Sequence, residues 1–365
     1  MLLNIDWLQL NCRGVISKTT GYQIKQMEYS TRQFKIIQEI YINNKLFCTC
    51  VSCPFSSVLA SDMVLLKVAN EHLYSPTLFS DLDKLIRDFY LRVKGLSRLD
   101  LCCDFTEFYN HRSVSKFLNQ FMKNEVKKMG KATYKIQGMQ KRRHVIDYLR
   151  FGTNNSDVSV YLYNKTKELN EVKMKPYICD CWRASGLDVE KTVWRLEFSI
   201  KSSRIKLVDE DTGVIHSIDY HSIKEAHFKE LIFSALLKSY FSFRTNSGCR
   251  NVSREKNIKL FEDKYLTTRR YRFSGLGDAT RADKIFVKKM EETNCQLRNI
   301  KKSYNNENEN MLFDFIIEKG LENYYLDRIK GELTERIIKY KELRAKQLED
   351  DLNSIQYSEQ LKLAF

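Results

Sequence analysis

Over the first two-thirds of the chain, short runs of alternating apolar and polar residues are divided by turn residues and interrupted by runs with helical spacing. The stretches LNIDWLQLNC (3–12), QFKIIQEIYI (33–42), KLFCTCVSC (45–53) and MVLLKVAN (63–70) predict strands, with Asn43 and Asn44 marking a turn between the second and the third. FSDLDKLIRDFYLRV (79–93) carries apolar residues at helical intervals with Ser80 as its candidate cap, and LSRLDLCCDF (96–105) returns to a strand. The order then repeats. A helix over 113–128, capped by Ser113 or Ser115, precedes strands at ATYKIQG (132–138), HVIDYLRFG (144–152) and VSVYLYN (158–164), a connecting segment, and a strand at TVWRLEFSI (192–200). Strands in runs with helices between them predict an α+β fold, a largely antiparallel sheet with its helices on one face, followed by a mainly helical C-terminal region. SIKEAHFKELIFSALLKSYF (222–241) reads as a helix, residues 244–280 are basic and rich in turn residues, and 281–350 reads as long charged helix broken at YNNENEN (304–310). Three regions follow: an α+β region over 1–203, a helical and basic region over 204–303, and a helical extension over 304–365.

Charge narrows the class of partner. The 61 Lys and Arg against 46 Asp and Glu give a formal net charge of +15, which attracts polyanions, and nucleic acid is the usual one. Between His111 and Arg150 the basic residues are Arg112, Lys116, Lys123, Lys127, Lys128, Lys131, Lys135, Lys141, Arg142, Arg143 and Arg150, against Glu125 and Asp147. A second concentration holds Arg244, Arg250, Arg254, Arg269, Arg270 and Arg272, with Phe243, Tyr265, Tyr271 and Phe273 interleaved. Guanidinium groups hold phosphates while rings stack on unpaired bases, so both regions are candidate DNA contacts; a solvated basic surface is the plainer alternative. No apolar run approaches the roughly 20 residues that span a bilayer, and the opening MLLNIDWLQLNCRG lacks the basic lead and apolar stretch of a secretion signal, so no membrane partner and a cytoplasmic location are expected. The ten cysteines are irregularly spaced. Neither Cys48, Cys50 and Cys53 nor Cys179 and Cys181 have the paired spacing of a zinc site, and Cys48 and Cys50 share one strand face as small hydrophobes.

The candidate chemistry lies on three of the predicted strands. Residues two apart on a strand face the same way, so Tyr161 and Tyr163 stand side by side, with Lys165 two residues further on. The same rule puts Asp100 and Asp104 on one face, and Glu197 with Arg195 on another otherwise apolar strand. If those strands are neighbours, Asp100, Asp104 and Glu197 converge into a site for Mg2+ or Mn2+, which take oxygen ligands. A metal flanked by tyrosines beside a basic lobe suits phosphodiester chemistry.

Taken in order, RLDLCCDF, RFGTNNSDVSVYLYNKTKEL and VWRLEFSIK resemble the motifs of the trans-acting replication initiators of rolling-circle plasmids, a family that includes relaxases of integrative conjugative elements and related phage replication proteins. The matching residues are Arg98, Asp100 and Asp104, then Gly152, Tyr163, Asn164, Lys165 and Glu168, then Arg195 and Glu197, with NIDWLQL resembling the family's first strand. Thr153 stands where the family more often has Ser, and none of the six histidines forms a His-x-His pair. The resemblance implies a sheet built from tandem relaxase-like halves in a catalytic region over 1–203. It implies a site-specific nicking and closing enzyme that initiates replication by linking a tyrosine to the 5′ phosphate of the cut strand, with Tyr163, Tyr161, Lys165 and Arg195 in catalytic roles and Arg98 contacting DNA. Tyr163 is the nucleophile the motif favours, with Tyr161 and Tyr148 as alternatives. A carboxylate-based nuclease without a covalent intermediate, and a plain DNA-binding protein, remain alternatives. A helicase contact rests on the resemblance, and the helical spacing of 308–365 suits a partner or dimer contact.

Overall fold

The computed structural model describes residues 1–17, 21–56, 59–130, 133–140, 144–153, 156–201, 206–248, 254–267, 269–274, 313–314, 316–317 and 338–347. The chain divides into two compact units, one made of Met1–Met27, Gln38–Val51 and Val64–Thr280, the other of Glu28–Ile37, Ser52–Met63 and Arg281–Phe365. In chain order the elements are β1 (Leu2–Arg13), β2 (Gln23–Gln26), β3 (Phe34–Ile42), β4 (Lys45–Pro54), β5 (Met63–Val68), α1 (Leu78–Asp88), β6 (Arg92–Phe105), α2 (Val114–Met122), β7 (Val126–Lys128), β8 (Tyr134–Gln140), β9 (His144–Phe151) and β10 (Val158–Asn164). They continue with α3 (Lys165–Glu171), α4 (Pro176–Ala184), β11 (Trp194–Lys201), β12 (Lys206–Asp209), β13 (Ile215–Ser217), α5 (Ala226–Tyr240), β14 (Phe243–Thr245) and β15 (Tyr271–Ser274).

Ten strands form one sheet in the order β2-β3-β4-β5-β1-β6-β11-β10-β9-β8. The pairings β1 with β6, β6 with β11, β11 with β10, β10 with β9, β9 with β8 and β2 with β3 are antiparallel, so the fold is α+β as the sequence pattern predicts. Alternation decides the faces. Leu99, Leu101, Cys103 and Phe105 of β6 and Leu196, Phe198 and Ile200 of β11 join the main apolar core with Leu82 and Leu85 of α1, Phe117 and Leu118 of α2 and the Ile232–Leu237 side of α5. Phe121 of α2 meets Phe151 of β9 edge-on at 5.7 Å, and Phe233 of α5 meets Phe198 at 5.6 Å. Helix α5 therefore packs directly on the sheet.

Four local expectations change. The helix expected over 113–128 ends at Met122, and Val126–Lys128 is strand β7. Helix α1 starts after Thr77, and Ser80 lies inside it, its hydroxyl donating to the Thr77 carbonyl. Asn164 ends β10 and caps α3, its side chain accepting from the Lys167 amide at 2.9 Å, so Lys165 opens a helix and is not part of the strand. The connecting segment holds α4, with Pro176 at its first turn, where a missing N–H costs nothing. Ser113 caps α2 as expected. Within the basic region, β13, β12 and β15 form a small separate sheet. The YNNENEN segment and most of 281–350, expected as helix, lie outside the described residues; 338–347 is helical.

Candidate active site

The face of the sheet opposite the core carries the chemistry, and its layout follows from register. Along β11, Arg195 pairs with Asp104, Glu197 with Cys102, and Ser199 with Asp100 of β6. On the other side Tyr163 pairs with Arg195 and Tyr161 with Glu197, and Tyr148 and Arg150 of β9 pair with Tyr163 and Tyr161. Strand β1 contributes through a bulge. The register between β1 and β6 shifts between Ile5 and Trp7, which leaves Asp6 as the extra residue, and a bulge re-aims side chains locally. Asp6 reaches Arg195 and Trp7 reaches Arg98, both on the polar face.

Arg195 is fully buried and organises the site. Its Nε and one terminal nitrogen donate to the two Asp104 oxygens at 2.6 and 2.7 Å, and the terminal nitrogens also donate to Asp6 Oδ1 at 2.6 Å and to the Tyr74 hydroxyl at 2.8 Å. Trp182 Nε1 of α4 donates to Asp104 Oδ2 at 2.7 Å, and the Tyr74 hydroxyl donates to Asp6 at 2.7 Å. Asn70 donates to Asp6 as well and itself accepts from Tyr177 at 2.7 Å. A buried guanidinium is tolerable when paired and hydrogen-bonded in this way. Burial alone would raise the Asp6 carboxyl, but the Arg195 and Lys165 charges and the Tyr74 and Asn70 hydrogen bonds hold it well below the usual carboxylate range.

Beside this frame the Tyr163 hydroxyl donates to Glu197 Oε2 at 3.0 Å. Burial, then the Asp6 and Asp100 charges, push the Glu197 carboxyl up to about 8, against the pull of Arg195 and of the Tyr163 hydrogen bond. Burial and the Glu197 charge raise Tyr163 well above the ordinary phenol range. Lys165 is buried, pairs with Glu168, and its ammonium lies 5.5 Å from the centre of the Tyr163 ring. Tyr161 has no such acceptor among the described residues: the Arg150 guanidinium lies 5.2 Å from its ring and Tyr148 packs at 6.5 Å.

Placement of the expected metal ligands departs from the sequence reading. Asp100, Asp104 and Glu197 share the face, but both Asp104 oxygens are taken by Arg195 and Trp182, and Asp100 is clamped by Arg98 at 2.9 and 2.5 Å. Register sets Asp104 opposite Arg195, so opposite charges close on each other before a cation could use them. Among the described residues no group of three His, Cys, Asp or Glu side chains is arranged to hold a metal ion. Cys48 and Cys50 are buried in the core, while Cys179 and Cys181 are half-buried on α4.

The basic regions divide as well. Arg98 and Arg150 lie on the active face, and Lys127 and Lys128 lie on β7, which pairs with β14. Lys128 packs over Phe151 at 5.3 Å and donates to the Met129 carbonyl. Arg254 is exposed. Arg269 pairs with Asp209 at 3.2 Å and Arg270 with Asp211 at 3.1 Å, so these two are partly neutralised. The rings expected to stack on bases point inward instead: Phe243, Tyr265 and Phe273 are buried in the core. Lys131, Lys141, Arg142, Arg143 and Arg250 lie outside the described residues, as does the side chain of Arg272.

The turn between β9 and β10 depends on Gly152. Its φ of +87° is in the left-handed region, and a Cβ there would stand 3.0 Å from Ser156 Oγ, the atom that accepts from the Thr153 amide.

No protein-family model matches the chain, and no curated protein matches it. Among solved structures it is similar to the rolling circle replication initiator protein from Geobacillus stearothermophilus, at 14% identity and a TM-score of 0.39, over 70% of this chain and 92% of that one. A likeness that distant leaves the reaction to be argued from the site, because one fold hosts many chemistries.

Proposed function

We propose that the chain initiates replication of a rolling-circle element by nicking and rejoining one DNA strand, with Tyr163 as nucleophile and Glu197 as its base. The carrying observation is the 3.0 Å hydrogen bond from the Tyr163 hydroxyl to a carboxylate of raised proton affinity. A phenol is a weak nucleophile at neutral pH and needs an acceptor for its proton. In the proposed step the Tyr163 oxygen bonds to phosphorus, its proton passes to Glu197, and the bond from phosphorus to the 3′ oxygen breaks, the departing oxygen taking a proton from water. The products are a 5′ phosphotyrosine and a strand ending in a 3′ hydroxyl. Closing runs the same path backwards: the 3′ hydroxyl gives its proton to water as its oxygen bonds to phosphorus, and Glu197 returns its proton to the departing Tyr163 oxygen.

Arg195 acts through its neighbours: its hydrogen bonds to Asp104, Asp6 and Tyr74 fix β11 and hold Glu197 and Tyr163 in register. Lys165 places a buried positive charge beside the Tyr163 ring, which favours phenolate character. The Mg2+ or Mn2+ expected from the sequence does not fit Asp104 and is assigned no step. Partners are the origin duplex and its single strand; a helicase or dimer contact is assigned to 304–365.

The test is covalent trapping. Protein incubated with a library of single-stranded oligonucleotides, with Mg2+, with Mn2+ and with chelator, is denatured and resolved for a protein-DNA adduct. Tyr163→Phe loses the adduct while DNA binding survives, and Tyr161→Phe retains a weakened one. Adduct persisting in Tyr163→Phe moves the nucleophile to Tyr161. Cutting without any adduct favours hydrolysis by a nuclease, and no cutting leaves a DNA-binding protein.

A further inference from the structure

A group of cations borders the same face, along the strands away from the Arg195 frame. Lys67 of β5 lies 3.7 Å, and the Arg98 guanidinium 4.2 Å, from the centre of the Trp7 ring on β1. The next strand continues the row, since Lys201 pairs directly with Arg98 across β11 and β6. Arg150 completes it on β9, opposite Tyr161. The four cations face one carboxylate, Asp100, which Arg98 clamps. Lys67 is held below the ordinary lysine range by burial and then by Arg98, and Lys201 by burial, Arg98 and Arg150. Among the described residues the Nε and one terminal nitrogen of Arg150 are buried without a hydrogen-bond partner, which costs stability unless something supplies an acceptor. An indole face attracts cations, so Trp7 offsets part of the repulsion between Lys67 and Arg98.

We propose that Lys67, Arg98, Lys201 and Arg150 form a track for the sugar-phosphate backbone of a single DNA strand, with Trp7 as the plate that holds two of the cations together. This deepens the nicking reading and rests on it. Phosphate can accept from each of the four cations, and a single file of charges fits one backbone, whereas a duplex presents two across a groove. Arg150 stands one register step from the Tyr163 row. The Arg98 and Lys201 pair is six residues along β11 from Arg195, about 20 Å at roughly 3.3 Å per residue, so the track holds the strand several nucleotides from the scissile phosphate.

The experiment measures binding of a labelled oligothymidine by the full chain carrying Tyr163→Phe, as a function of salt. Lys67→Gln with Lys201→Gln is compared with a control pair of exposed lysines elsewhere, Lys25→Gln with Lys94→Gln. The track pair is expected to weaken binding at least tenfold at moderate salt and to flatten the log-log salt slope by about 1.4, two contacts at about 0.7 each. The control pair shifts affinity less than twofold, and a duplex of equal length shows no difference between the track pair and its parent. Thermal melting checks that each variant is folded. An unchanged slope for the track pair, an equal loss in the control pair, or an equal loss on duplex overturns the proposal. Because the readout is binding by a protein lacking the nucleophile, it decides the track whether or not the intact chain forms an adduct.

Discussion

Replacing Glu197 by Gln separates stability from chemistry, and the two are expected to move in opposite directions. The Glu197 carboxyl titrates near 8 in the folded protein against an ordinary value of 4.5. Between those values the folded state keeps a proton that the unfolded chain has released, so stability falls as pH rises, by about 1.4 kcal/mol per unit. This contribution is fully present below about pH 4.5, is reduced by about 3 kcal/mol at pH 7, and levels off near 5 kcal/mol below its acid value beyond pH 8. Gln has no proton to lose and can still accept from Tyr163. Urea unfolding of parent and Glu197→Gln, followed by tryptophan fluorescence and circular dichroism from pH 4 to 9, isolates the effect, because titrating groups that do not interact with Glu197 cancel in the difference. The variant should match the parent near pH 4 and exceed it by about 3 kcal/mol at pH 7. Its nicking should be lost, while the parent's rate rises with pH towards about 8 as the base ionises. A pH-independent difference between the two proteins, or a variant less stable at every pH, would refute the placement of Glu197 in a desolvated acidic setting.

The remaining predictions address the frame and the turn. Asp104→Asn leaves the buried Arg195 charge short of its main partner and should cost about 3 to 5 kcal/mol in urea unfolding, with the Tyr163 environment disturbed as a consequence. Gly152→Ala forces a Cβ into a left-handed position beside Ser156 and should cost about 1 to 3 kcal/mol, read as a lower melting temperature, whereas Ser156→Ala should cost less. Tyr163→Phe removes one hydrogen bond to Glu197 and the adduct together, yet the salt dependence of DNA binding should stay as in the parent.

Much of the sheet was legible because alternation is a local signal. The strands that carry Asp100, Tyr163 and Glu197 fall where the apolar pattern puts them, and same-face arithmetic correctly sets Tyr161 with Tyr163 and Asp100 with Asp104. Ser80 and Lys165 show the limit of that signal at element ends. A strand reading carries Tyr163's face forward to Lys165, but Asn164 is a strong helix cap and the chain turns there. Lys165 reaches the tyrosine ring from the first turn of α3 and not from the strand. Composition also misplaced the aromatic residues of 243–273, because a ring between arginines is equally a core ring, and burial is decided by partners distant in sequence such as Phe117 and Phe233.

The frame around Arg195 was the least legible part, for a physical reason. Its members come from β1, the turn at Asn70–Tyr74, β6, α4 and β11, and pairing across 64 to 189 residues leaves no periodicity to read. One trace does exist. In NIDWLQL the apolar positions run Ile5, Trp7, Leu8 and Leu10, and the step from Trp7 to Leu8 breaks the alternation. That break is the bulge that gives Asp6 and Trp7 to the polar face, one to the Arg195 frame and one to the cation row. The same-face rule gives three carboxylates on that face and misses a fourth, Asp6, which the bulge brings in. Asp104 neutralises the buried arginine, Asp100 steadies Arg98, and Glu197 is left uncompensated beside the tyrosine that it is best placed to deprotonate.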